Sequence, residues 1–172
     1  MDKSQLHALP DPQAGYIGQI ENEPLNAAFA RSLARLQAMV RAPLKAYGPQ
    51  VYAPGKWTLH DIFQHLSDCE RIFAYRALRI ARNDPTPLAG FDQEPYGRYA
   101  HASDRDLDDL IDELLEVHQS SAHLFNSFDD EMLLRSGECA GHSFSVLAIG
   151  YLILGHQAHH LRIIAEKYGL PV

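Results

Sequence analysis

The sequence lacks the features that mark several common classes of protein. Its two cysteines, Cys69 and Cys139, are too few for a disulfide framework. Its 15 Lys and Arg are outnumbered by 22 Asp and Glu, and a net charge of −7 does not favour a nucleic-acid partner. The longest apolar stretch, residues 146–154, is far shorter than the ~20 residues that span a bilayer. The first seven residues also lack the apolar core of a signal peptide. We therefore predict a soluble, cytoplasmic protein that binds neither nucleic acid nor membrane.

The apolar content is sufficient for one folded domain. Apolar residues make up 46% of the chain, and its length suits a single domain spanning residues 1–172. Residues 1–21 contain prolines and glycines without a clear period, so we predict an irregular lead-in there. No segment alternates convincingly enough for a strand. The fold class predicted is all-α, a four-helix bundle. Its helices are the segments whose apolar residues recur at spacings of three and four, at about residues 22–47, 59–82, 103–126 and 145–168.

A long connection separates the second and third predicted helices. The second helix has a clear start, because Thr58 is followed three residues later by Asp61, a capping pattern. Residues 84–102 then form a connection of a length that is usually functional or crosses the bundle. This connection contains the aromatic residues Phe91, Tyr96 and Tyr99. They have two interpretations: they cover a functional cleft, or they pack over the end of the bundle.

Histidine is the unusual component, with ten in the chain. The last predicted helix contains GHQAHH at residues 155–160. His156 and His160 lie one turn apart on one face and can chelate one metal ion, although His156 with His159 is a competing pair. The apolar residues favour the first pair, because they continue its spacing and His159 falls among polar positions. Those apolar residues are Ile149, Ile153 and Ile163.

A third ligand is expected from another helix, since two protein ligands hold a metal weakly. His65 is the best candidate because it borders the buried face of the second predicted helix. His60 lies toward polar positions of the same helix. The remaining histidines are expected to be surface residues or satisfied in the core: His7, His101, His118, His123 and His142.

The surroundings of His65 suggest its supporting residues. Asp61 or Asp68 would accept a hydrogen bond from its second ring nitrogen and fix the orientation of the ring. Capping alone explains Asp61, whereas Asp68 has no competing role. Cys69 lies one turn beyond His65, but its neighbours favour a packing role over metal ligation. Three histidines without a fourth protein ligand leave open positions on the ion, which is typical of catalytic sites.

Four arginines follow one another along the second predicted helix. Acidic residues are interspersed with them or flank them, so we interpret the arginines as part of a solvated face. We find no cationic pocket motif that would identify a substrate. The arginines are Arg71, Arg76, Arg79 and Arg82.

Two segments resemble the DinB-like superfamily of damage-inducible, four-helix metal-binding proteins. Residues 57–76, WTLHDIFQHLSDCERIFAYR, resemble its second-helix motif, and GHQAHH at 155–160 resembles its second signature. The resemblance implies that the metal ligands are His65, His156 and His160. It also implies an up-down-down-up bundle whose crossover is the 84–102 connection, and a homodimer.

An open three-histidine site suits zinc, nickel, iron(II) or copper. Such an ion activates either a bound water, for hydrolysis, or a bound thiol, for transfer. The resemblance favours thiol transfer, because relatives include bacillithiol- and mycothiol-dependent transferases and isomerases. We therefore predict a metal-dependent hydrolase or thiol S-transferase that acts on a small molecule, with a low-molecular-weight thiol as partner. The alternatives are a non-catalytic metal-binding stress protein and a helical interaction module without metal.

Overall fold

A computed structural model describes residues 1–7, 9–10 and 12–172 of the chain. No helix in this described part is both long enough and apolar enough to cross a membrane. Short 3-10 turns lie at Lys3–Gln5 and Ala102–Asp104. The helices and strands are α1 (Gln13–Gly18), α2 (Leu25–Gln37), α3 (Arg41–Tyr47), α4 (Leu59–Ala81), α5 (Gln93–Tyr99), α6 (Leu107–Asn126), α7 (Asp130–Leu134), β1 (Ser136–Cys139), β2 (His142–Ser145) and α8 (Val146–Lys167).

The four long helices form the predicted bundle. Helices α2 and α4 each pack against both α6 and α8. A first core cluster joins the beginnings of α2 and α8 to the ends of α4 and α6, and a second cluster joins the opposite ends. Helices α2 and α8 therefore run one way while α4 and α6 run the other. This confirms the up-down-down-up arrangement. The core residues that show it include Phe29, Ile80, Phe125 and Leu147 in the first cluster, and Leu36, Phe63, Ile111 and Ile164 in the second.

The direction of α4 and α6 explains the long connection between them. Because the two helices are parallel neighbours, the chain must return along the whole of α4 before α6 begins. At 1.5 Å per residue, the 23 residues of α4 span about 34 Å. The segment 84–102 covers this distance, which confirms the predicted crossover. It also contains the short helix α5, which has an Asp92 N-cap.

Two predictions about the first part of the chain are wrong. Residues 1–21 are not irregular throughout, because 13–18 form α1, and its Ile17 is buried against α8. A six-residue helix is too short to show an apolar period. The first predicted bundle helix is divided into α2 and α3, with Val40 extended between them. Pro43 has no N–H and is tolerated only in a first turn, so a new helix begins just before it.

A small hairpin was also missed, since we predicted no strand. Strands β1 and β2 pair antiparallel, with Ser136 opposite Ser145. Ala140 and Gly141 form its two-residue turn, both at positive φ (54° and 80°), as tight hairpin turns require. Each strand has four residues, which is too few for alternation to be detected.

The predicted starts of α4 and α8 are correct, whereas those at about residues 22 and 103 are too early, because α2 begins at Leu25 and α6 at Leu107, after its Asp106 N-cap. The hydroxyl of Thr58 accepts a hydrogen bond from the Asp61 N–H at 3.2 Å, and the Asp61 carboxylate accepts one from the Thr58 N–H at 2.9 Å. Ser145 caps α8 through the N–H of Ala148. These caps fix where α4 and α8 begin, and so fix the register of the histidines that follow.

Helix α1 lies directly on the backbone of α8 at Gly155. A Cβ atom at Gly155 would overlap the carbonyl oxygen of Tyr16 and lie 3.0 Å from the Ile17 nitrogen. The close approach therefore requires glycine at this position. It also brings the Tyr16 ring within 5.6 Å of the His156 ring.

We expect Gly155→Ala to destabilise the protein, because the added methyl group must displace backbone atoms of α1. Overpacking of this kind costs about 1–3 kcal/mol, measured as the loss in free energy of unfolding in urea. The matched control is Gly15→Ala in α1, where a Cβ meets nothing within 4 Å and alanine favours the helix. Equal stabilities of the two variants would contradict this packing.

Candidate metal centre

Helices α4 and α8 bring the three predicted histidines together. The Nε2 atom of His65 lies 3.0 Å from Nε2 of His156, which lies 3.2 Å from Nε2 of His160. The three ring centroids are 4.7 to 4.9 Å apart in pairs. With Zn–N bonds of about 2.0–2.1 Å, two nitrogens on one tetrahedral zinc ion are about 3.3 Å apart. The donor atoms are thus spaced to share one ion, while metal ligation itself stays a prediction.

Burial keeps these imidazoles uncharged at neutral pH. His65 and His156 are each 6% exposed. Burial lowers the pKa of His65 to about 4 and that of His160 to about 3. Burial, and next the neighbouring His160, hold the pKa of His156 well below its ordinary value. Neutral rings have the free lone pairs that a metal ion needs.

Cys69 belongs to the same cluster, which the sequence interpretation as a packing residue did not anticipate. Its sulfur lies 3.5 Å from Nδ1 of His65. One ligand atom from each of His65, Cys69 and His156 lies within 4.8 Å of the others. Burial raises the pKa of the Cys69 thiol to about 12. Without a metal the sulfur is therefore protonated, and it lies beside both ring nitrogens of His65, at 3.5 Å from Nδ1 and 3.6 Å from Nε2.

The expected supporting role of Asp68 is wrong. Its carboxylate accepts a hydrogen bond from Gln64 at 3.0 Å and lies 3.9 Å from the Arg71 guanidinium. Asp61 is the helix cap, and in the described part of the chain neither aspartate hydrogen-bonds to His65. Residues four apart on a helix lie one above the other. Asp68 therefore lies beside Gln64, whereas Cys69 lies beside His65.

Two other histidines, His118 and His159, lie outside the cluster. His118 is fully buried, and its Nδ1 atom lies 2.9 Å from the Glu70 carboxylate. It is therefore a core residue, as expected, but only Nδ1 is paired, because Nε2 is buried without a hydrogen-bond partner among the described residues. His159 packs with the Tyr16 ring, at 4.9 Å between centroids. Its side chain makes no hydrogen bond to another histidine within the described residues.

Two aromatic residues that the sequence did not identify flank the cluster. The Trp57 ring lies 4.6 Å from the His65 ring and is nearly parallel to the His160 ring, at 10° and 6.2 Å. Tyr16 packs against His156, with 5.6 Å between the ring centroids, and burial raises the pKa of its phenol. Trp57 falls within the resemblance to the family, but no sequence signal marks Tyr16, because α1 itself was missed.

Two cavities adjoin the cluster. The larger, of about 470 Å³, is lined by Cys69, His156 and Arg76 among others. The other, of about 260 Å³, is lined by His160 and Trp57 among others. A substrate therefore has space to reach the histidines.

The connection 84–102 covers this region. Phe91 and Tyr96 pack against each other at 5.0 Å and both line a narrow space beside His65. Tyr99 is 79% exposed. The positions of Phe91 and Tyr96 therefore fit the interpretation that these aromatic residues cover the cleft. The exposed Tyr99 fits neither interpretation.

Arg76 departs from the predicted solvated face. It is 9% exposed, whereas Arg71 and Arg82 are exposed and Arg79 is part-buried in an ion pair with Asp84. Its position seven residues after Cys69 is two helical turns along the same face. Acidic neighbours in the sequence did not reveal this, because they lie on other faces of α4.

Comparison with known proteins gives the family. The model of the DinB superfamily matches residues 6–164, and the chain therefore belongs to that superfamily. A similar solved structure is YfiT from Bacillus subtilis, described as a probable metal-dependent hydrolase with an unusual four-helix bundle topology. The two are 14% identical, with a TM-score of 0.68 over 97% of this chain and 93% of the YfiT chain, so the fold is shared. No curated protein matches.

We expect the metal-free protein to lose stability as the pH falls below about 6.5. The ordinary histidine pKa is 6.5, against about 4 for His65 and about 3 for His160 in the folded chain. The unfolded chain therefore binds more protons in this window, and the free energy of unfolding falls between about pH 6.5 and pH 3. The free energy of unfolding is measured at each pH by urea unfolding in the presence of a chelator.

The His160→Gln variant should show a shallower pH dependence, because one of the buried titrating groups is gone. The matched control is His123→Gln, a substitution of an exposed histidine on α6, which should keep the wild-type slope. Identical slopes for His160→Gln and the wild type would show that the buried cluster does not cause the effect.

Proposed function

We propose that this chain is a metal-dependent enzyme that holds one divalent ion at His65, His156 and His160. The observation that carries the proposal is the convergence of three uncharged Nε2 atoms, from two helices, beside a cavity. The superfamily membership supports it. We propose zinc or nickel as the ion, with iron as a further candidate, because imidazole nitrogen suits all three.

We further propose hydrolysis or thiol transfer on a small molecule as the reaction. A divalent ion with open positions lowers the pKa of a water or thiol that binds to it. The description of YfiT as a probable hydrolase supports the first reaction, and the resemblance to thiol-dependent relatives supports the second.

The protein's own residues would position the reactants. Trp57 packs against His65 and His160, and Tyr16 packs against His156, which limits access of bulk water to the three rings. Lys56 and Glu94 line the 260 Å³ cavity together with His160. Both are therefore available to bind a substrate, or to exchange a proton with it, from that side.

Cys69 would act through His65 in this account. When Nε2 of His65 faces the ion, the Cys69 sulfur packs against the same ring, 3.5 Å from Nδ1 and 3.6 Å from Nε2. A group held against a ligating ring restricts the orientation of that ring. Cys69 would thus supply the orienting role that the sequence suggested for Asp68.

A second candidate is a metal-binding protein without catalysis. The proximity of the Cys69 sulfur to His65 and His156 favours it. A thiolate ligand added to three histidines would close a four-ligand site of the structural type. This version predicts a large fall in melting temperature on chelation and no turnover.

We expect His160→Ala to lose metal binding while the helical content stays unchanged. Removing a ligand should cost more affinity than the tenfold to hundredfold, roughly, that substitution of a supporting residue costs. Trp57 is the only tryptophan and lies against two of the histidines, so quenching of its fluorescence by Ni²⁺ reports the binding. The matched control, His159→Ala at the preceding position of α8, should bind like the wild type.

Activity separates the two candidates. The metal-loaded protein should hydrolyse an activated ester or conjugate a thiol to an electrophile, and His160→Ala should abolish that rate. Wild-type affinity or an unchanged rate in His160→Ala would overturn the enzyme proposal. One bound ion with no turnover on either class of substrate would favour the non-catalytic candidate.

A further inference from the structure

Arg76 is a buried cation that faces the larger cavity. Its side chain lines that cavity together with Cys69 and His156. It is the only Lys or Arg among the described lining residues. A positive charge is thus placed in the same cavity as the candidate metal centre.

The charge of Arg76 has no carboxylate partner in the described part of the chain. One Nη2 hydrogen bond goes to the carbonyl oxygen of Ala89, at 2.6 Å, and the guanidinium carbon lies 5.9 Å from the centre of the Phe91 ring. A guanidinium has five N–H donors, so the described residues use only a small part of its hydrogen-bonding capacity. Burying a charge is costly unless it is paired.

Among the described residues, the other charged groups nearby do not neutralise Arg76. Arg71 and Arg79, on the same helix, are each paired, with Glu113 and Asp84 respectively. Asp92 lines the cavity, but its carboxylate accepts a hydrogen bond from the N–H of Glu94 at the start of α5. No ion pair joins Asp92 to Arg76 among the described residues.

We propose that Arg76 is the anion-binding subsite of this cavity and takes a carboxylate group of the substrate. A carboxylate matches the planar fork of a guanidinium. One arginine balances one negative charge, and the neighbouring lining residues Phe73 and Leu152 are apolar, which disfavours a doubly charged phosphate. The position of this subsite relative to the reacting group rests on the proposed metal centre, but the subsite itself does not.

The substrate class follows from the two ends of the cavity. A small molecule with a carboxylate at Arg76 and a thiol, or a bond to be hydrolysed, at the histidines would occupy both. Mercaptoacetate is the simplest probe with both groups, and mercaptoethanol is its uncharged counterpart. Acetate and acetamide form the corresponding pair without a thiol.

The first experiment uses the metal-free protein and titrates acetate against acetamide by calorimetry or NMR. The wild type should bind acetate more tightly than acetamide. Arg76→Gln should remove this preference, with a loss of about tenfold to hundredfold expected for a hydrogen bond to a charged group. Arg76→Lys keeps the charge and should retain part of the preference.

The matched control is Arg82→Gln, which changes the net charge equally. The Arg82 guanidinium lies over the Phe128 ring at 5.6 Å, and Arg82 does not line the cavity. Its acetate affinity should equal that of the wild type. The comparison of acetate with acetamide in the wild type needs no variant, so the test holds even if Arg76→Gln does not fold.

The second experiment uses the nickel-loaded protein and compares mercaptoacetate with mercaptoethanol through Trp57 fluorescence. The wild type should bind mercaptoacetate at least about tenfold more tightly than mercaptoethanol. Arg76→Gln should reduce the affinity for mercaptoacetate to that for mercaptoethanol. Two results would overturn the subsite. One is that the wild type binds acetate no better than acetamide and mercaptoacetate no better than mercaptoethanol. The other is that Arg82→Gln loses as much affinity for the carboxylates as Arg76→Gln does. If nickel does not bind, the metal proposal fails while the acetate result still decides the subsite.

Discussion

The structure depends on three uncharged imidazoles held with their Nε2 atoms 3.0 and 3.2 Å apart in a buried position. Ring nitrogens that are removed from water need a shared partner, either a proton or a cation. Burial makes a proton unfavourable, since it holds the pKa of each ring well below the ordinary value. The arrangement is therefore suited to a metal ion. The neighbouring elements limit the access of bulk water to the three histidines but leave them open to the two cavities.

The bundle topology brings this cluster together. Helices α4 and α8 run in opposite directions, so the first third of α4, with His65, meets the middle of α8, with His156 and His160. Because α4 and α6 are parallel, the connection between them must pass back along the bundle, and it does so over the cluster. The same constraint thus supplies Phe91 and Tyr96 beside His65, and the carbonyl group of Ala89 for Arg76. Helix α1 covers the other side through the close contact at Gly155.

The predictable parts of the structure were the long helices, in which apolar residues recur at a regular spacing, and the helix start that a capping pattern marks. Four helices and the inward direction of His156 and His160 follow from spacings of three and four, and the start of α4 follows from Thr58 and Asp61. Helix α1 and the hairpin were missed because segments of four to six residues are too short to show a period. The positions of Cys69 and Arg76 depend on which helices pack together. The choice of His65 drew on its place at the edge of an apolar face and on a family resemblance.

The central claim is that three histidine nitrogens, and no protein sulfur, hold one open ion. X-ray absorption at the zinc edge of the zinc-loaded protein measures this directly. The account predicts only nitrogen or oxygen neighbours, at about 2.0–2.1 Å, with the outer-shell scattering of imidazole rings. A sulfur neighbour at about 2.3 Å would place Cys69 on the ion, close the site and contradict the account.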